Sequence, residues 1–532
     1  MNKYIKYAFA LTLPTLAFTA CDDFLDTMPD NRATVDTEDK IKSLLVSAYF
    51  DHDYCYVAEL LSDNTDNYGD NNPYTNRWLD DTYNFKDESE TDNESMNSFW
   101  ESAYTAIASA NEALKAIDEL GGPDKTANLS AMRGEALLCR AYSHFMLANL
   151  FCNHWTTNAA NDLGLPYMEE PETELMPKYE RGNLAELYTK IEADLEEGLE
   201  RVSDSYYSVP KYHFNTKAAY AFANRFYVYT EQWEKAVKAA DRCLGSQPQT
   251  MLRDWAAIAA MPANQTAQAN EYINASSNAN LLLMTAYSAL GLSYGAYYTN
   301  SKYSHGAYIA SNEDVRATNI WGGYSLFRVA PRVYSGTNLD KVIIWKCPYL
   351  FEYTDIVAQT GYRHTVYPAF TTDEVLLNRA EAYIMLNRFD EAAADLTLWM
   401  QNVTSSQMTL TPASITSFYN SCDYSYTDGL SSTIKKHLNP AFAIAAEGST
   451  QECMLQCMLG FRRMETLHHG LRWFDIKRYG IEYPRRLMNA SGLPALSTDF
   501  IGKDDLRRVI QIPQKVRDAE FTPNPRKEDA NN

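Results

Sequence analysis

The stretch from Gly460 to Gly480, GFRRMETLHHGLRWFDIKRYG, constrains the fold more than any other part of the chain. Its first half continues a helix begun near Glu452. Met454, Leu455, Met458, Leu459 and Phe461 lie around the whole circumference of that helix, the pattern of a helix buried on all sides. Gly470 supplies a stop, because glycine takes the left-handed conformation without steric cost. A second short helix follows, with Leu471, Trp473, Phe474 and Ile476 for packing. Arg462, Arg463, Glu465, Arg472, Asp475, Lys477 and Arg478 crowd the same stretch. An unpaired buried charge is very expensive, so these groups must pair with each other and with helix ends. The spacing predicts a helical hairpin with an ion-pair girdle, not a catalytic site.

The rest of the chain is read against this hairpin. With 532 residues, 45% hydrophobic and 22% charged, it has material for a large core. A net charge of −22 argues against nucleic acid as a partner, since phosphate binding needs a basic surface. Amphipathic patterns predict helices over Ile41–Phe50, Phe99–Leu120, Leu129–Cys152 and Leu184–Val202. Two segments share a spacing: Tyr227, Trp233, Glu234, Ala236, and Tyr383, Phe389, Asp390, Ala392. In each, a small alanine lets antiparallel helices approach while the aromatic fills the groove by the turn, as in a tetratricopeptide (TPR) hairpin. The copies are too far apart for a tandem solenoid. Asp63–Asn93 is too rich in Asp, Asn, Gly and Pro for regular structure. Residues 245–372 are expected to be loop-rich, with Tyr294, Tyr297, Tyr298, Tyr303, Tyr308, Trp321 and Tyr324 clustered in them.

The chemistry of catalysis is not legible. There is no zinc-ligand spacing, no nucleophile elbow and no phosphate-cradling glycine loop. Adjacent His468 and His469 diverge on a helix and cannot share a metal. Asn64, Asp66 and Gly69 faintly resemble a calcium loop, but Tyr68 holds a ligand position and the closing glutamate is missing. No cofactor and no metal is expected. Cys139, Cys152 and Cys243 fall in apolar helical patterns. Cys453 and Cys457, four apart on a helix, are ~5–6 Å apart at Cβ, too far for a disulfide. The acidic run Glu169, Glu170, Glu172, Glu174 lies among prolines and reads as a solvated loop.

Several motifs carry a resemblance. Arg462-Arg463-x-Glu465 with Gly470-x-Arg472-Trp473-Phe474-Asp475-Ile476-Lys477-Arg478 resembles the C-terminal signature of the SusD/RagB family of outer-membrane nutrient-binding lipoproteins. Phe461 and His469 replace two acidic positions of that signature, so its local ion pairing must be rearranged. Arg140-Ala141-Tyr142 in its helix, Asp314-Val315-Arg316, Glu374–Leu396, Val509–Pro513 and Asn524-Pro525 also match the family, while Thr371 stands where many members carry arginine. At the start, Lys3 and Lys6 precede an apolar run ending in Phe18-Thr19-Ala20-Cys21, which resembles a lipobox. Asp22-Asp23-Phe24-Leu25-Asp26-x-x-Pro29 is similar to the start of mature family members.

The resemblance implies a signal peptide over residues 1–20, a lipid-anchored segment over 21–40 with Cys21 as the lipidated residue, and one domain over 41–532. That domain is expected to be mainly α. Degenerate TPR hairpins near 99–152, 184–244, 374–403 and 447–480 form one side, and a loop-rich insertion over 245–372 the other. It further implies an outer-membrane protein facing the exterior that hands a nutrient to a SusC-like TonB-dependent transporter and performs no reaction. The cargo is a glycan, or a peptide as in RagB-like members. From the residues, aromatics on rigid loops with short polar neighbours suit a sugar's C–H face. Trp78, Trp321, Tyr298 and Tyr324 are the candidate platforms, and Asp63, Asn67 and Arg77 the hydrogen-bonding partners. An all-helical glycan-degrading lipoprotein and a TPR scaffold that binds only proteins remain alternatives.

Overall fold

The computed structural model describes residues 35–172, 177–335 and 340–527. The signal segment, Cys21 and the acidic start of the mature chain lie outside the described residues, as does Glu174.

The helices that frame the fold are α1 (Glu38–Leu45), α2 (Cys55–Leu61), α3 (Arg77–Tyr83), α4 (Met96–Glu119), α5 (Ala127–Phe151), α6 (Leu184–Arg201), α7 (Thr216–Tyr229), α8 (Trp233–Leu244), α9 (Thr372–Met385), α10 (Phe389–Val403), α11 (Thr450–Glu465) and α12 (Leu471–Arg478), with a further helix, Pro412–Asn420, between α10 and α11. The mainly α expectation holds. Starts are set by capping side chains: Ser95, Thr126, Asn183 and Asn215 each accept from a backbone N–H in the first turn of α4, α5, α6 and α7. α4 packs on α5 and α5 on α6. Arg140 ties the three together, with a bidentate pair to Asp194 of α6 (2.6 and 2.9 Å) and a bond to the Asn111 amide oxygen of α4 (2.9 Å). From Leu137 onward every residue of α5 is buried.

The two hairpins share their turn. In α7–α8 the Gln232 N–H donates to the Tyr227 carbonyl (2.8 Å), and Glu231 is left-handed at φ +60. In α9–α10 the Arg388 N–H donates to the Tyr383 carbonyl (2.8 Å), and Asn387 is left-handed at φ +57. Ala236 and Ala392 are fully buried where the helices meet. The hairpins lie side by side, with α9 packed against both α7 and α8. Arg225 of α7 clamps Glu374 of α9 (2.7 and 2.6 Å) and also reaches the Ala369 carbonyl.

The segment between the hairpins is more regular than its sequence suggests. β2 (Asn280–Tyr287), β6 (Leu350–Asp355) and β7 (Thr360–Thr371) form an antiparallel sheet in the order β2-β7-β6, and β4 (Arg332–Ser335) pairs with β5 (Asp340–Ile343). β7 runs straight into α9, where Thr371 caps the helix by accepting from the Glu374 N–H (3.1 Å). A short polar residue can do this and an arginine cannot, which accounts for the threonine. A second sheet orders β1 (Asp66–Asn67) between β3 (Tyr303–Ser304) and β8 (Tyr483–Met488), with β9 (Pro494–Ile501) outside β8. β1 and α3 correct the irregular reading of Asp63–Asn93. The Asn76 side chain accepts from the Leu79 N–H to start α3, and Trp78, Leu79 and Tyr83 bury one face of it.

The C-terminal hairpin differs in detail from its expectation. α11 ends at Glu465, ahead of Gly470, and His468 (φ +69) and Gly470 (φ +72) both adopt left-handed backbone in the connection. The buried Glu59 carboxylate of α2 organises that connection, accepting from the N–H groups of His468 (2.9 Å) and Gly470 (3.1 Å). A Cβ on Gly470 would lie 2.9 Å from both Ala58 and Cys55, so glycine is needed for space as well as for φ. The charges are buried and paired with each other and with helix ends, as the spacing predicts. Arg462 pairs with Asp475 of α12 and Glu381 of α9; Arg478 pairs with Glu381 (2.7 Å) and reaches the Val228 carbonyl of α7. Lys477 donates to the Asn149 and Cys152 carbonyls (2.6 and 2.8 Å) and so caps the C-terminal end of α5. Where the signature has acids, Phe461 stacks on Trp399 (4.6 Å) and His469 lies against Tyr272 (5.8 Å).

Candidate functional site

The Asp63–Asn93 stretch and the tyrosine-rich part of residues 245–372 meet. β1 pairs with β3 through Asp66–Ser304 and Asn67–Tyr303. The Tyr68 N–H donates to the Lys302 carbonyl, the Tyr74 N–H to the Asn300 carbonyl, and the Lys302 N–H to the Tyr74 carbonyl. This zipper stacks Tyr74 on Tyr298, with ring centroids 3.6 Å apart and planes at 28°. Beside them Tyr297, 51% exposed, meets the half-buried Tyr349 edge to face at 5.2 Å. Thr75 follows Tyr74 in the chain, the Asn300 carbonyl accepts from the Tyr74 N–H, and the charges of Arg363 and Glu94 reach Tyr74.

The shelf is fixed from below by a buried ionic network. The Asp63 carboxylate takes a bidentate bond from Arg472 (2.8 and 2.8 Å). Arg463 donates to the Asp63 carbonyl, the Asn64 amide oxygen and Glu313. Arg486 of β8 bridges Asp66 (2.9 and 3.1 Å) and Glu313 (3.0 Å), and Lys436 closes on Glu313 (2.7 Å). Asp314 adds a fourth carboxylate, 3.9 Å from Arg463, so four cations face four anions. Burial pushes the Asp63 and Glu313 carboxyls up, yet the surrounding arginines and Lys436 bring both well below the usual carboxylate range. Asp66 is held up by burial despite Arg486. Under Tyr298, the buried Lys341 ammonium donates to its carbonyl (2.8 Å), and burial lowers that ammonium to about 7. The arginines of the C-terminal signature therefore position a tyrosine surface on segments far away in sequence.

Three candidate residues are corrected. Trp78 is 2% exposed against Tyr56 (5.0 Å), and Trp321 is 5% exposed among Phe327, Trp399 and Phe461. Neither offers a ring face to a ligand; both close the core beneath their loops. Asp63 is buried and spent on arginines. Asn67 is half-buried, its amide oxygen accepting from the Gly69 N–H (2.8 Å). Arg77 is largely exposed and leans on Ser89, Asp81 and Glu90. Tyr324 is exposed with the Arg316 guanidinium over its ring (4.3 Å), beside the end of α10 rather than on the shelf. Only Tyr298 joins the stacked pair. Tyr74, Tyr297 and Tyr349 were not singled out as platforms, although Asn72-Pro73-Tyr74 is a turn sequence that places an aromatic at a loop tip. Asn64 and Asp66, the calcium-like positions, are engaged by Glu59, Arg463 and Arg486. Among the described residues no group of three or more His, Cys, Asp or Glu could hold a metal, and no helix is long and apolar enough to cross a membrane.

These features define a helical-hairpin protein whose paired loops display tyrosines over a closed ionic core. Residues 23–228 match a SusD-like family described as starch-binding and associating with the outer membrane. Solved structures agree in fold. A SusD superfamily protein from Bacteroides thetaiotaomicron has a TM-score of 0.60 at 18% identity over 92% of this chain and 100% of its own. A SusD-like carbohydrate binding protein from Bacteroides vulgatus has 0.58 at 15% identity over 91% and 96%, and a SusD superfamily protein from Bacteroides fragilis 0.56 at 17% over 90% and 96%. No curated protein matches the chain. Residues 23–228 are thus similar to the SusD-like family, and the fold of the whole chain resembles that of the SusD superfamily structures.

Proposed function

We propose that this protein captures an oligosaccharide on the Tyr74–Tyr298 shelf and releases it unchanged. The observation that carries the reading is that stack, half-buried on two loops that a buried ionic network holds in register. A phenol ring offers an apolar face to the C–H groups of a pyranose, and Asn76, Asn300 and Arg363 can take its hydroxyls. The starch-binding description of the matched family and the carbohydrate-binding relative support a glycan as cargo. By resemblance the protein is anchored to the outer membrane through lipid on Cys21, faces the exterior and passes its cargo to a SusC-like TonB-dependent transporter. No cofactor enters this scheme.

Calorimetric titration with an oligosaccharide panel, followed by chromatography of the recovered sugar, tests the reading. Saturable binding with unaltered sugar is expected, weakened roughly ten-fold or more by Tyr298→Ala, a loss of about 1.4 kcal/mol or above. Shortened products would select the hydrolase alternative. A blank glycan panel with peptide binding would select a RagB-like cargo.

A further inference from the structure

The ring surface does not stop at the shelf. β6 and β7 form an arm whose register sets Phe351 opposite Arg363 and Tyr353 opposite Gly361. Opposed residues, and residues two apart on one strand, share a face, so all four lie on the same side of the arm. The Phe351 and Tyr353 rings meet there edge to face at 4.8 Å. Position 361 needs a glycine, since a Cβ would lie 2.9 Å from the Phe351 ring. Tyr353 is 55% exposed and Phe351 is half-buried. Tyr349, two residues before Phe351, is the ring that meets Tyr297 beside the stacked pair. The charge of Arg363 reaches Tyr74, so this side of the arm adjoins the shelf.

The rings follow one another in single file: Tyr74 with Tyr298, Tyr297 with Tyr349, then Phe351 with Tyr353. Four residues of extended chain separate Tyr349 from Tyr353, roughly 13 Å, which is longer than one sugar ring. Rings set in a line suit successive units of one chain, each offering an apolar face to C–H groups. A protein partner would need a broad patch with a closed apolar centre, whereas the aliphatic side chains most exposed on the arm, Ile356 and Val357, are confined to the turn at its tip. Among the described residues the exposed Arg363 guanidinium has no ion-pair partner, and Glu94, within reach of its charge, offsets it. Its donors therefore suit the hydroxyls of a neutral chain. We propose, resting on the reading of the shelf as a glycan site, that the cargo is a neutral linear oligosaccharide whose far units lie along the arm on Phe351 and Tyr353.

The probes are maltohexaose and cellohexaose, each compared with its disaccharide, maltose or cellobiose, by calorimetric titration of the full chain. The hexasaccharide of the preferred linkage is expected to bind roughly ten-fold or more tightly than its disaccharide. Joint replacement Phe351→Ala and Tyr353→Ala is expected to lose most of that gain, while Tyr298→Ala weakens binding at both lengths. Should the double variant fail to fold, ¹⁹F NMR of the fluorotyrosine-labelled natural chain, with Tyr353 assigned through Tyr353→Phe, must show the Tyr353 signal shifting saturably with hexasaccharide. Equal affinity at the two lengths, a gain that survives in the double variant, or a Tyr353 signal that hexasaccharide leaves in place would overturn the arm and leave the shelf reading standing. Sugar bound at neither length would overturn both.

Discussion

At the scale of single residues, the pairing of Arg472 with Asp63 couples the C-terminal hairpin to the binding loops. Removing one partner of a buried ion pair strands the other charge, at about 3–5 kcal/mol. Arg472→Met is therefore expected to lower unfolding free energy by that amount in urea titrations. Arg472→Lys should recover only part, because an ammonium cannot reproduce the two-pronged bond. The sequence made these arginines conspicuous but not their partners, since Asp63, Asp66 and Glu313 are far away along the chain and sit in stretches that read as solvated. The same reading makes Trp78 and Trp321 look exposed, although both are buried. A tryptophan among Asp, Asn and Gly looks exposed, yet Trp78 packs on Tyr56, and Trp321 on Phe327, Trp399 and Phe461, residues far away along the chain. Tyr298 was legible because residues 292–301 around it in sequence carry no charge.

At the scale of elements, the two hairpins were legible from spacing alone. Tyrosine, aromatic, acid and alanine each have a fixed place in the turn, and residues around it are close in sequence. The turn also stores a correctable strain. Glu231 occupies left-handed backbone, which disfavours a residue with a Cβ by roughly 1–2 kcal/mol, where its counterpart Asn387 tolerates it better. Glu231→Gly should raise stability by about 1 kcal/mol after the flexibility it adds to the unfolded chain, seen as a higher Tm, and Asn387→Gly by less. A lower Tm for Glu231→Gly would show that its side chain matters more than its φ. The strands of the insertion were illegible for the opposite reason. β2 and β7 pair across a long sequence separation, and β2, buried on both faces over most of its length, shows no alternation to mark it.

At the scale of the molecule, the helical array is closed by ion pairs whose protonation sets its acid limit. Burial pushes Glu381 up, but Arg462 and Arg478 overcome it and bring the carboxyl down to about 2, from an ordinary 4.5. A lowered carboxyl contributes stability that is complete above 4.5 and lost as pH falls toward 2, on the order of 3 kcal/mol here. Glu59 runs the other way: burial raises it to about 7, so its contribution is complete below 4.5 and lost as pH rises through 7. Urea titrations from pH 2 to 7 should show stability falling steeply at the acid end, with a shallower fall in Glu381→Gln. The helical frame was legible in the spacing of the hairpins, while the location of the proposed binding surface needed the fold, because only the fold joins residues 66–75 to 298–304. The most direct measurement is a crystal structure of the protein with a bound oligosaccharide. A pyranose ring seated against the Tyr74–Tyr298 pair, intact and with the ionic network unmoved, is the expected result; a glycan held elsewhere with that pair untouched, or a cleaved one, would contradict the account.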